Sequence, residues 1–236
     1  MDEKKQTEQF ESESYRYISS YIDNVGRIDD IIPQSLNSKN IQSILDVGCG
    51  NGEFLNARKN YFSAKIGMGI EPSSEGIELV KRRWHSDKEL TFQSAFAHNL
   101  PCENDSFDLV FTWSVLHWIG RNEYLQSIGE MIRVSSKYLC VMDFVASADY
   151  RSPYHHKEGL YTYKQNFDDV ISASGIMRPI ETLRWWVDPK SGKVSMLEHN
   201  DLERFEKNIL SYHARKMVVY EKDYSLLPVK IEDDFL

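Results

Sequence analysis

Cysteine is scarce in this chain, and its scarcity excludes two architectures. Cys49, Cys102 and Cys140 are the only three. They are odd in number, scattered and without a C-x-x-C pair, so neither a disulfide framework nor a thiolate zinc site is indicated. No apolar run approaches the roughly 18 residues of a membrane-spanning helix. The polar start "MDEKKQTEQFESESYRY" lacks the apolar centre of a signal peptide. A reduced, cytoplasmic setting with no membrane partner is the expectation. Internal repeats, Pro/Ser-rich linkers and low-complexity stretches beyond that polar start are absent too.

An excess of positive charge is also missing. The chain has 28 Lys and Arg against 36 Asp and Glu, a net charge of −8, which argues against a nucleic-acid partner. The local run "KRRW", Lys81 to Trp84, reads as the solvated end of a helix. Aromatic residues, by contrast, are plentiful. With 13 Tyr, 11 Phe and 5 Trp in 236 residues, some are expected to line a pocket or a surface as well as a core. The length suits one α/β domain with modest appendages.

From Ile41 onward the pattern alternates. "IQSILDV", "AKIGMGIE", "LTFQSAF", "SFDLVFTW" and "KYLCVMDFV" read as strands, the apolar centres implying burial on both faces. Between them lie helices starting at Gly52, at "PSSEGIELVKRRW" with Pro72 in a first helical turn, and at Glu123. The last should present Tyr124, Leu125, Ile128, Met131 and Ile132 on one side. After Ser147 the rhythm loosens through the aromatic stretch "SADYRSPYHHKEGLYTYKQN". A short helix ended by Gly175, a strand "PIETLRWWV", a turn "DPKSGK", a helix "NDLERFEKNILSYHARK" and a short strand "MVVYE" complete the reading. One of Trp185 and Trp186, neighbours on a strand, should face the core and the other should not. This alternation predicts a doubly wound sheet with helices on both faces. Ligands in such sheets bind beyond the carboxyl ends of the strands.

At the end of the first of these strands stands "ILDVGCGNGEFL", Ile44 to Leu55. Glycine is costly in ordered structure, so Gly48, Gly50 and Gly52 suggest that a ligand approaches the backbone closely. A tight turn with no ligand is the plainer alternative. Dinucleotide folds use G-x-G-x-x-G to hold a pyrophosphate at a helix start. Here the spacing is G-x-G-x-G, and a carboxylate, Glu53, occupies the position of the third glycine. That disfavours a nicotinamide oxidoreductase.

"LDVGCGNGEF" resembles the first motif of class I S-adenosylmethionine-dependent methyltransferases. Glu71 in "GIEPS" and the segment "AFAHNLPCENDSFDLVFTWSVLHWI" follow in the same order and resemble the methyltransferase type 11 group. "EMIRVSSKYLCVMDF" resembles its next helix and strand, with Ser135, Ser136 and Lys137 where that group has a Pro-Gly-Gly turn. The resemblance spans about Ile41 to Phe144. It implies a Rossmann-like sheet of seven strands in the order 3-2-1-4-5-7-6, with strand 7 antiparallel. The cofactor implied is S-adenosyl-L-methionine, with S-adenosyl-L-homocysteine as product. It would be bound by Asp46, Gly48, Cys49, Gly50, Asn51, Gly52, Glu71, Pro72, Phe96, Ala97, Trp113 and Ser114. Within that set Asp46 would orient the methionine ammonium and Glu71 would accept from both ribose hydroxyls. Phe96 stands where relatives carry an acid against the adenine amino group. Glu71 as a helix N-terminal charge and Phe96 as core are the structural alternatives.

"TWSVLHW" places His117 and Trp118 beside the methionine end in this family. His117 is a candidate general base, with packing or positioning as the other reading. His155 and His156 point to opposite sides of an extended segment, so no metal site is expected from them. Residues 147–166 are expected to form an acceptor-site insertion in a domain spanning 41–236, with Tyr154, His155 and Tyr161 in the substrate pocket beside His117 and Trp118. Residues 1–40, with Tyr15, Arg16 and Tyr17, are expected to form a helical cap or lid. The function expected is methyl transfer to a small polar acceptor, such as a sugar derivative or other metabolite. The alternative is a non-catalytic subunit or regulator that binds S-adenosylmethionine or S-adenosylhomocysteine. The sequence does not fix the oligomeric state.

Overall fold

The computed structural model describes residues 33–144, 149–154, 158–187, 194–197 and 214–227. The predicted N-terminal helix through Asn24, His155 and His156, the turn before Val194 and most of the helix predicted from Asn200 lie outside them. The last residues of that helix, Ala214 to Lys216, are instead the start of a long strand.

In chain order come β1 (Ser43–Val47), α1 (Glu53–Phe62), β2 (Ile66–Glu71), α2 (Ser74–Arg83), β3 (Leu90–Ser94), β4 (Phe107–Trp113), α3 (Arg121–Val134) and β5 (Ser135–Phe144). They are followed by β6 (Tyr150–Pro153), β7 (Tyr161–Lys164), α4 (Phe167–Ser172), β8 (Met177–Val187), β9 (Val194–Met196) and β10 (Ala214–Lys222). The main sheet runs β3-β2-β1-β4-β5-β10-β8-β9. β1 to β5 are parallel to one another, whereas β10 is antiparallel to both β5 and β8. This is the expected order, with β8 and β10 as its sixth and seventh strands. The sheet has eight strands rather than seven because β9 folds back antiparallel onto the edge strand β8.

Alternation along each strand divides the core in two. Ile44 and Leu109 pack with Leu55, Ile77 and Val80 on the face covered by α1 and α2. Their successors Leu45 and Val110 pack with Ile128, Met131 and Ile171 on the face covered by α3 and α4. β1 is therefore buried on both faces, as its apolar residues Ile44, Leu45 and Val47 require. Trp185 is fully buried and Trp186 half-buried, resolving which of the pair faces inward.

Three local expectations are corrected. Leu125 is 65% exposed, because the buried face of α3 runs through Tyr124, Ile128, Met131 and Val134, spaced by one helical turn. Pro72 lies outside α2 rather than in its first turn, since Ser73 is the N-cap and its hydroxyl accepts from the Gly76 amide at 3.1 Å. The irregular stretch after β5 contains a two-stranded ribbon, β6 paired antiparallel with β7. Its inward-facing Ser152 and Thr162 hydroxyls lie 3.1 Å apart.

Candidate cofactor and acceptor site

The glycine loop hangs from the end of β2. The amides of Gly48 and Cys49 donate to the Ile70 carbonyl at 2.7 and 2.9 Å, and the Gly52 amide closes the turn onto the Cys49 carbonyl at 2.9 Å. Gly48, Gly50 and Gly52 all have φ in the left-handed region, at +83°, +51° and +77°. A β-carbon on Gly48 would lie 2.3 Å from a methyl of Val115, whereas one on Gly50 would meet nothing within 4 Å. Asn51 serves the fold: its side chain accepts from the Glu53 amide at 3.0 Å, and its carbonyl accepts from the Trp84 indole at 2.9 Å. The Cys49 side chain packs into the core on the α1 and α2 face, leaving its backbone toward the loop. Glu53 is ion-paired with Arg83. The case against a pyrophosphate therefore rests on the glycine spacing rather than on a free carboxylate.

Two buried acids flank this loop. Asp46, near the end of β1, is 2% exposed and Glu71, the last residue of β2, is 6% exposed. Burial raises the Asp46 carboxyl well above the ordinary range, and the nearby Glu71 charge adds to this while Arg58 opposes it. Burial likewise pushes Glu71 up to about 7, against the lowering effect of the Gly50 and Ser73 amides. Two desolvated carboxylates side by side are expensive to maintain. They suit a ligand that brings hydroxyl or ammonium donors to them. Arg58 of α1, unforeseen from the sequence, lies 5.5 Å from the Phe54 ring centre and 5.6 Å from that of Trp113. These two rings stack at 5.1 Å, and Trp113 leans on buried Trp185. Ser114 breaks out of β4 with φ +58°, its amide donating to the Met142 carbonyl at 2.9 Å.

Beside the loop opens a cleft. Gly48, Pro72, Phe96 and Ala97 line it, joined by Trp118. The ribbon contributes Leu160 and Tyr163 to the same wall. Tyr154 packs edge-on against Trp118 at 4.8 Å, while Tyr161 lies under Arg151. Neither of these tyrosines lines the cleft as Tyr163 does. Leu160 and Tyr163 of the insertion thus line the cleft, and the sequence reading did not single them out.

His117 lines a separate, small cavity with Asp143, Lys164 and Gln165. Asp143, at the end of β5, accepts from His117 Nδ1 at 2.8 Å, from the His117 amide at 3.2 Å and from the Phe144 amide at 2.7 Å. Burial favours a neutral carboxyl, yet His117 and these amides outweigh it and hold Asp143 below the ordinary range. An ionised carboxylate only accepts, so Nδ1 carries the proton of a neutral His117. Burial lowers the imidazole further than Asp143 raises it. Sequence reading missed Asp143 because nothing in "VMDF" marks an acid paired across to the loop after β4.

Sheet order, left-handed loop and acid at the end of β2 together define a nucleotide-cofactor fold of the methyltransferase type. Residues 44–137 match the family model of a methyltransferase domain, and the strand order is the one that the resemblance to class I methyltransferases implies. An O-methyltransferase of Pyrenophora dematioidea is 34% identical over 108 residues, 44% of this chain and 40% of that protein. O-methyltransferase resE of Aspergillus sclerotiorum is 31% identical over 144 residues, 59% of this chain and 52% of that protein. The matches thus span about half or less of those relatives' lengths. The N-methyltransferase NodS of Bradyrhizobium japonicum, solved with S-adenosylhomocysteine, superposes with a TM-score of 0.59 at 12% identity, covering 89% of this chain and 98% of NodS. That likeness is one of fold. Among the described residues no helix is long and apolar enough to cross a membrane.

Proposed function

We propose that the protein transfers the methyl group of S-adenosylmethionine to a hydroxyl of a small-molecule acceptor. The observation that carries this reading is the pairing of the open left-handed loop at Gly50 with the buried Glu71 carboxylate, 3.3 Å from the Gly50 amide. The donor set fits the cofactor. Glu71 offers two acceptor oxygens to a pair of ribose hydroxyls. Asp46 offers a desolvated negative charge to an ammonium, and the loop leaves backbone exposed where a side chain would obstruct.

When bound, S-adenosylmethionine supplies a methyl group on a positively charged sulfur. The task left to the chain is to hold donor and acceptor in line and to exclude water. The ribbon residues Leu160 and Tyr163, with Trp118, form an apolar and aromatic wall suited to the body of a small acceptor. The relatives named O-methyltransferases support oxygen as the attacking atom. A polar acceptor of the sugar type fits these walls less well than one with a flat, apolar body and a hydroxyl. His117 is assigned a positioning role: it anchors the segment that bears Trp118, and methyl transfer to an acidic hydroxyl needs no dedicated base.

The test is release of S-adenosylhomocysteine on incubation with S-adenosylmethionine and a panel of phenols, hydroxy acids and sugars. Turnover with a phenol or hydroxy acid supports the proposal. Turnover restricted to sugars overturns the acceptor assignment. Tight binding of S-adenosylhomocysteine with no turnover on any class points to a cofactor-binding subunit instead.

A further inference from the structure

The cleft beside the glycine loop is walled almost wholly by apolar side chains: Ile70, Ala95, Phe96, Val115, Ile119 and Leu160 among them. One lining residue is a carboxylate, Glu123 of α3. It stands in the third helical position, where an acid commonly turns back to the amide of the N-cap residue. Here the N-cap is Gly120, and among the described residues the Glu123 side chain makes no hydrogen bond or ion pair. Its carboxylate lies half-buried on a wall with no donor assigned to it.

The helix face it occupies is already committed to the loop after β3. Glu123, Ser127 and Glu130 are spaced at i, i+4 and i+7, so they line up along one side of α3. At one end of this row Glu130 accepts from the Leu100 amide at 2.8 Å, and the Arg133 guanidinium donates to the Leu100 and Cys102 carbonyls. The loop carrying Phe96, Ala97 and His98 is therefore held against this face. Glu123 stands about 10 Å further up the helix, at the 1.5 Å rise per residue. Ser127 offers no competing donor, since its hydroxyl donates to the Glu123 backbone carbonyl at 2.8 Å. Phe96 and His98 stack on each other, ring centres 5.2 Å apart, and form a flat wall of the same cleft.

We infer that Glu123 reads the exocyclic amine of the cofactor's adenine, accepting a hydrogen bond from it within this apolar cleft. The inference rests on the proposed cofactor reading, with the adenosyl group in the part of the cleft lined by Phe96 and Ala97 and the acceptor against Leu160, Tyr163 and Trp118. A purine edge that carries an amine puts a donor into a place with few acceptors, and a carboxylate is the strongest acceptor available. The base is then selected from a helix on the far side of the cleft rather than from the strand end at Phe96, which brings only a ring. Glu123 would be a specificity-determining residue for the cofactor, with no part in the methyl transfer itself.

The experiment is calorimetric titration of the full chain with two ligands. One is S-adenosylhomocysteine; the other is its analogue with hydrogen in place of the adenine amine. Wild type should bind the amine-bearing ligand about tenfold more tightly, as expected for a hydrogen bond to a charged acceptor. Glu123→Ala should lose about that factor for S-adenosylhomocysteine and leave the analogue unchanged, so that the two bind alike. Glu123→Gln, which keeps one acceptor oxygen, should fall between. Thermal melts of both variants should match wild type within a few degrees, since the side chain has no partner to lose. Discrimination retained in Glu123→Ala, or absent in wild type, overturns the assignment while leaving the cofactor reading intact. Failure of wild type to bind either ligand overturns the cofactor reading itself, and the inference with it.

Discussion

The Gly50 amide donates to Glu71 Oε2 at 3.3 Å, tying the glycine loop to the end of the neighbouring strand β2. A single contact thus joins a backbone left open for a ligand to an acid buried at some cost. On the proposed reading of Glu71 as a cofactor ligand, binding is set against stability, because a buried carboxylate is a liability without a partner.

That opposition is measurable at Glu71. Its folded-state value, about 7, lies above the ordinary 4.5. Its contribution therefore favours the fold at pH below about 4.5 and is lost as pH rises through 7. Glu71→Gln should raise the unfolding free energy at pH 8 by on the order of 1–3 kcal/mol, with the gain disappearing toward pH 4.5. Urea titrations at the two pH values check this. The same variant should bind S-adenosylhomocysteine at least tenfold more weakly, and wild-type affinity should climb between pH 6 and 8 as the carboxylate ionises. A variant that loses stability at pH 8 would contradict the account.

Gly48 and Gly50 share a left-handed backbone but differ in surroundings. Gly48→Ala forces a methyl against Val115 and should destabilise the protein by about 2–4 kcal/mol, combining backbone strain with overpacking. Gly50→Ala meets no protein atom, so its cost should stay near the 1–2 kcal/mol of the left-handed backbone alone. Its added methyl projects into open space beside the loop, and S-adenosylhomocysteine affinity should fall by tenfold or more. Equal affinity for wild type and Gly50→Ala would place the cofactor elsewhere.

Asp143 accepts three hydrogen bonds, two of them from His117, and so clamps the turn after β4 onto β5. Asp143→Ala leaves those buried donors without their acceptor and should cost about 1–3 kcal/mol. If His117 only positions Trp118, His117→Asn should lower turnover less than tenfold and leave the pH profile unmoved. Loss of the acidic limb from that profile would make His117 a proton acceptor in the reaction.

Much of this was legible in the sequence, for physical reasons that also explain what was not. Strands buried on both faces write continuous apolar runs, so β1, β4 and β5 were found to within a few residues. The loop was legible because a left-handed backbone demands glycine at Gly48, Gly50 and Gly52. β9 was missed because an edge strand of three residues writes no pattern. Pairings across the fold were equally silent. Asp143 with His117, Arg58 beside Asp46 and Glu123 on the cleft wall all join residues whose local sequence carries no mark of the partner. Tyr161 and Tyr163 alternate onto one face of the ribbon, so position along it, and not local composition, decides that Tyr163 lines the cleft.

Two buried lysines, Lys164 and Lys222, give predictions of opposite sign. Lys222 donates to the Ile132 and Ser135 carbonyls, both at 2.8 Å, and to Asp105 at 2.7 Å. It thereby caps the end of α3 and the turn into β5. Removing a charged donor from buried carbonyls leaves them unsatisfied, so Lys222→Met should cost about 2–3 kcal/mol. Lys164 on β7 donates to the Thr162 hydroxyl at 3.0 Å and lies 3.9 Å from the centre of the Phe144 ring. Burial lowers it to about 8, with Arg215 adding to the effect and Asp143 opposing it. A base held below its ordinary 10.5 contributes stability above that pH and loses it as pH falls through 8. At pH 7 the charged form is therefore a net burden, and Lys164→Met should melt higher than wild type. The gap should close as the pH is raised toward 10, where wild-type Lys164 is neutral. Melting curves of both variants at pH 7 and pH 10 decide the matter. A Lys164→Met protein that melts lower at pH 7 would mean that the attraction to Asp143 outweighs burial, and that the ribbon is held over the site by charge.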